Sequence, residues 1–134
     1  SIIVPEYMKQ ILAEATFQAR QSSEINQRSG VSVRVSIANF ETLLGNALRR
    51  SIVHRDKWTC PRTSDLPFIA ASFSGKIELE TFEEGRENRV TDDLTRKAVL
   101  RVFGDYFDLA DLEDLVMAFD MIFFTIITIN YNTY

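Results

Sequence analysis

Apolar side chains recur at steps of three and four residues along most of this chain, and that period belongs to the α-helix. Tyr7, Met8, Ile11, Leu12, Ala15 and Ala19 make the first such face. Pro5 stands at its start, where a missing N–H costs nothing. The spacing predicts a helix over 5–22, broken at Ser22-Ser23 and the polar run that follows.

A second helix is expected after Ser32, whose hydroxyl can cap a free N–H two or three residues on. Ile37, Phe40, Leu44, Ala47, Leu48 and Ile52 share one face and are assigned to the core, with the helix ending near Val53. Gly45 inside it costs about 1 kcal/mol against alanine, so close packing on a neighbouring helix is expected there. Residues 54–63 read as a polar loop. A short helix over 65–73 follows, capped by Ser64, with Asp65 at its positive end. Ile77-Glu78-Leu79-Glu80 alternates and fits either a brief strand or the start of another helix.

Thr91 is expected to cap a further helix, with Asp92 and Asp93 in its first turn. Leu94, Ala98, Val99, Val102, Phe103 and Tyr106 form its buried stripe. Asp108 caps a last helix through Leu112, Leu115, Val116 and Phe119. The tail 121–134 changes character, being rich in Ile, Phe, Thr and Tyr, and reads as strand. Its apolar part is too short for a bilayer, which needs about 20 residues. The fold class expected is mainly α, a helical bundle with a short β element near the C-terminus. Residues 1–120 form the helical domain and 121–134 an apolar, strand-like tail.

The 134 residues fit one domain, and 46% apolar with 25% charged is ordinary for a globular chain. A chain this long buries enough surface to fold without a metal or a disulfide. The net charge of -4 argues against a nucleic-acid binder, which needs a basic face. The single cysteine, Cys60, allows no internal disulfide and suits a reducing, cytoplasmic setting. The first residues lack the basic and apolar regions of a signal peptide.

Few residues here offer chemistry. The only Gly-Lys pair, Gly75-Lys76, is followed by Ile77 where a P-loop needs Ser or Thr, and Ala70 replaces its first glycine. His54 and Cys60 could form a nucleophilic pair, although a surface histidine and an incidental cysteine explain them as well. Glu78, Glu80, Glu83 and Glu84, or Asp108, Asp111, Glu113 and Asp114, match no calcium loop, and no metal site is expected. Arg49, Arg50, Arg55, Lys57 and Trp58 could meet phosphate, but cations at a helix C-terminus also offset its dipole. No catalytic residue is assigned.

The segment Gly30-Val31-Ser32-Val33-Arg34 stands out. With Ser32 as N-cap, Arg34 falls in the first helical turn, where the dipole is already positive. A cation there calls for an anionic partner, either a phosphate held by the guanidinium fork or a nearby carboxylate.

The stretch from Ile25 to Ile37, INQRSGVSVRVSI, resembles the lid of the magnesium chelatase/MoxR branch of AAA+ ATPases, where a G-x-S-x-R pattern opens a lid helix. RTSDLP at 62–67, SGKIELE at 74–80 and AVLRVF at 98–103 resemble chelatase-related proteins of unassigned role. The resemblance spans about residues 1–118. It implies that Arg34 is the second sensor, reaching the terminal phosphate of ATP, with Ser32 capping its helix. It also implies a parent ATPase that uses ATP and magnesium, a separate P-loop domain, neighbouring subunits in a hexameric ring and an unidentified client protein. The P-loop, the acidic magnesium motif and the first sensor are absent from these 134 residues, so the chain is not expected to hydrolyse ATP alone. The alternative is a free-standing helical interaction module with a docking strand at 121–134. Neither membrane nor nucleic acid is expected as a partner.

Overall fold

A computed structural model describes residues 1–28, 30–73, 75–81, 84–108 and 110–118. The protein is mainly helical, a bundle, as the periodicity predicts. Helix α1 runs Glu6–Gln21, α2 Val33–His54, α3 Ala70–Phe73 and α4 Arg86–Tyr106. A 3-10 segment, Thr63–Ile69, leads directly into α3. A 3-10 turn at Ala110–Leu112 precedes helical residues 113–118. Among the described residues no helix is long and apolar enough to cross a membrane. The tail 121–134, and Phe119 with it, lies outside the described residues.

The chain divides into two compact units, Ser1–Val102 and Phe103–Tyr134. In the first unit, α1 buries Met8, Ile11, Leu12, Ala15 and Ala19, the face its spacing predicts except for exposed Tyr7. Each large apolar side chain so buried contributes about 1.5–3 kcal/mol. Pro5 sits at the N-cap rather than inside the helix. Ile25, Val31, Val35, Leu43, Leu66, Ile69, Phe73, Ile77, Val90, Leu94, Ala98 and Val102 belong to the same core cluster. In the second unit, the Phe103 and Phe107 rings stack 4.6 Å apart, and Asp108 Oδ1 accepts from the Ala110 N–H at 3.0 Å. Leu115 and Val116 are exposed there.

The face of α2 differs from expectation. Its buried residues are Val35, Asn39, Leu43, Ala47 and Ser51, with Phe40 packed partly on the core. Ile37, Leu48 and Ile52 lie exposed on the neighbouring stripe. Two buried polar residues take their place, each with a partner for its side-chain oxygen, while the buried Asn39 amide nitrogen has none among the described residues. Ser72 Oγ donates to Asn39 Oδ1, and Ser51 and Thr59 share a hydroxyl–hydroxyl bond of 2.8 Å. A paired oxygen can be buried at little cost, whereas the unpaired Asn39 nitrogen carries a desolvation cost. Gly45 also departs from expectation: it is exposed, and a Cβ there would meet nothing within 4 Å. No neighbour within the described chain requires it.

Helix α4 starts at Arg86, earlier than Thr91. Gly85, at φ 77, supplies the turn before it. Thr91 is buried inside the helix, its hydroxyl bonded to the Asn88 carbonyl, and Thr95 bonds back to Thr91 in the same way. A hydroxyl satisfied by its own helix does not interrupt it. Phe103 and Tyr106 are exposed rather than buried.

β-pairing among the described residues is limited to two isolated bridges. Ile2 pairs in parallel with Thr59, and Ile25 antiparallel with Leu79. The second resolves the alternation of 77–80: Asn26 N–H donates to Glu78 O at 2.7 Å and Glu80 N–H to Glu24 O at 3.0 Å.

The 3-10 segment is fixed by Asp65, not capped by Ser64. The Asp65 carboxylate is 1% exposed and accepts four hydrogen bonds. Asn46 Nδ2 lies at 2.8 Å, Arg50 Nη2 at 2.9 Å, Arg50 Nε at 3.3 Å and the Arg62 N–H at 2.8 Å. Burial pushes this carboxyl up, but the bonds from Arg50, Arg62 and Asn46 outweigh it and hold it below its ordinary value of 3.8. The hydrogen bond to Asp65 in turn raises Arg50 above its ordinary value, against the pull of desolvation.

A carboxyl depressed in the folded state stabilises the fold above its unfolded value and stops doing so as pH falls through its folded value. Asp65→Ala leaves Arg50, Asn46 and the Arg62 amide without this acceptor and is expected to cost about 3 kcal/mol near neutral pH. In thermal melts, the gap between wild type and variant should be full above pH 3.8 and narrow in more acid solution.

Candidate functional site at the start of helix α2

The turn between α1 and α2 explains itself residue by residue. Ile25 is buried in the core. Asn26 Oδ1 accepts from the Arg28 N–H at 3.0 Å, a local side-chain turn. The Gln27 amide nitrogen lies within 3.2 Å of the Ala19, Ser22 and Ile25 carbonyls, so it serves oxygens at the end of α1 and one in the turn beyond it. Gly30 takes φ 69, a left-handed conformation that an L side chain resists. Val31 is buried, and its carbonyl accepts from Arg20 Nε at 3.0 Å, which ties the turn back to α1.

Ser32 is the N-cap, as the sequence predicts. Its backbone is extended, its Oγ accepts from the Arg34 N–H at 3.3 Å, and its carbonyl accepts from the Val35 N–H at 3.0 Å. One turn on, Ser36 Oγ donates to Thr16 Oγ1 at 2.8 Å, and Thr16 Oγ1 donates to the Leu12 carbonyl. These bonds pin the first turn of α2 against α1.

Arg34 is therefore placed where expected, in the first turn of a capped 22-residue helix. Its side chain is exposed, and no ion pair to its guanidinium is found among the described residues. The carboxylate-partner reading thus has no support here. The first turn of α2 holds no acidic residue either, so positive charge from dipole and guanidinium accumulates at this end. An anion approaching it meets the positive end of the helix dipole and a fork of donors.

The other candidates do not assemble. His54 ends α2 and is exposed. Cys60 is half-buried, and its Sγ contacts the Pro61 carbonyl at 3.6 Å. No hydrogen bond joins the two among the described residues. No group of three potential ligands for a metal occurs among the described residues. Within the basic stretch, Arg50 is consumed by Asp65, by Asp56 at 3.8 Å and by the Cys60 carbonyl at 2.7 Å. Arg55 adopts a left-handed conformation that closes α2, and Lys57 lies 5.9 Å from the Trp58 ring centre. Periodicity alone misses the network around Asp65, because two of its donors come from another helix. Comparison with known protein families, curated proteins and solved structures gives no match in any of the three.

Ser32→Ala removes the cap and is expected to lower stability by about 1 kcal/mol. Gly30→Ala forces a Cβ into the left-handed region and should cost about 1–2 kcal/mol. Arg34→Ala should leave the unfolding midpoint unchanged or slightly raised, because it removes a cation from the positive end of the helix. Denaturant titration of the three variants measures all of this.

Proposed function

We propose that this chain is the lid and second-sensor module of an AAA+ ATPase resembling the magnesium chelatase/MoxR branch. The observation that carries the reading is Arg34, an exposed guanidinium held at the capped start of α2 with no ion pair among the described residues. Every other polar side chain of the surrounding turn from Asn26 to Ser32 for which a bond is described serves the turn itself. Arg34 has no such task among the described residues, so its position is best explained by an anion outside the chain.

In this reading a separate P-loop domain of the parent protein supplies the nucleotide-binding loop and the magnesium ligands. Arg34 donates its fork to the terminal phosphate of ATP and offsets charge that develops there during hydrolysis. Because the guanidinium rides on a rigid helix, loss of that phosphate changes the force on α2 and so the position of the lid. Neighbouring subunits of a hexameric ring feel that movement, and a client protein is remodelled by it. The setting is cytoplasmic, consistent with a single reduced Cys60. The chain hydrolyses no ATP by itself.

Arg34→Ala in the full-length ATPase should lower its hydrolysis rate about a hundredfold, with Arg34→Lys intermediate because the ammonium keeps the charge but loses the fork. Unchanged turnover in Arg34→Ala, with the fold intact, would remove the sensor role.

A further inference from the structure

Helix α2 carries a second feature that neither the core nor Arg34 accounts for. Beside its buried stripe runs an exposed one: Ile37, Glu41, Gly45, Leu48, Arg49 and Ile52, recurring at steps of three and four. Half-buried Ala38 and Thr42 flank it. Such residues line one side of a helix, here over roughly 22 Å. Ile37 is 53% exposed, Leu48 42% and Ile52 67%. Three exposed large apolar residues along one side of a helix, interleaved with a single acid and a single base, make a surface that another helix can cover.

Gly45 sits at its middle. In the interior of an exposed helix it costs about 1 kcal/mol relative to alanine, and a Cβ at this position would be in open space. The conformation is helical and needs no glycine. What a missing side chain offers is close approach by a second backbone.

We propose that this face is a two-fold contact with a second copy of the chain, the two α2 helices crossing antiparallel at Gly45. Complementarity of the face with itself supports this. When two identical helices cross antiparallel, a residue before the crossing point faces the one equally far beyond it on the other copy. About Gly45, Glu41 faces Arg49 of the second copy, and Arg49 faces its Glu41. Ile52 faces Ala38 and Leu48 faces Thr42, large side chains against smaller ones, and Ile37 faces the exposed Val53 at the end of the contact. Opposite charges pair twice, and no like charges meet among these positions. Neither Glu41 nor Arg49 has an ion pair among the described residues of its own chain. With glycine against glycine at the centre, the axes can approach to about 8 Å, the close end of helix packing.

One helix crossing buries less than the roughly 1,600 Å² of a standard interface, so association depends on concentration. The contact is independent of the role given to Arg34.

Sedimentation equilibrium of the 134-residue chain from about 10 µM to 1 mM, spanning weak affinities, reads the contact directly. The average mass should climb toward twice the monomer value. Glu41→Arg and Arg49→Glu should each weaken self-association about tenfold, and the double variant should restore it. Gly45→Leu should block association while leaving the monomer folded, its circular dichroism unchanged or strengthened. A constant monomer mass would overturn the proposal, as would a dimer indifferent to the single charge reversals or one that the double variant fails to restore.

Discussion

Asp65 ties the 3-10 segment to α2 through a buried carboxylate, and much of the first unit is arranged around that link. It comes from a short 3-10 segment with little helical stability of its own. Its carboxylate reaches Asn46 and Arg50 on α2 and the Arg62 amide beside it, so separate stretches of chain meet at one charge. Arg50 extends the network to the Cys60 carbonyl and to Asp56. The loop after α2 is thereby fixed, and the Thr59 bridge to Ile2 is built on that fixed loop. A buried charge is expensive unless each lone pair is met, and here the donors are supplied from both sides.

The consequence for function runs along α2. One end is clamped by Asp65 and by the Ser51–Thr59 bond. The other is clamped by the Ser32 cap, the Ser36–Thr16 bond and the Arg20–Val31 bond. A helix held at both ends is a rigid arm. An arginine in its first turn is placed with an accuracy that a loop does not give. That is the mechanical property a nucleotide-sensing lid requires.

Much of this is legible in the sequence. The period of α1, the glycine at 30, the Ser32 cap and the place of Arg34 in the first turn all follow from local rules acting within a few residues. The face of α2 is not legible. Counting bulky apolar residues puts Ile37, Leu48 and Ile52 inside, whereas the fold buries Asn39 and Ser51, whose partners Ser72 and Thr59 become visible only once the chain has folded. The start of α4 is hidden for a related reason: Thr91 looks like a cap in sequence, yet its hydroxyl is satisfied by the preceding turn of its own helix. Asp65 has the sequence position of a helix-start carboxylate and is in fact the centre of a network. At α2 and Asp65, local propensity is overruled by contacts at long sequence separation; at α4, by a bond within the helix itself.

In the proposed reading, Arg34 belongs to a machine whose phosphate-binding parts lie in another domain of the same polypeptide. Reading the coding region immediately upstream of Ser1 tests this most directly. A continuous frame containing G-x-x-x-x-G-K-[ST] after a strand, followed by an acidic magnesium motif, is the expected result. A start codon close to Ser1, with no such frame before it, would overturn the reading and leave Arg34 without the phosphate it is placed to meet.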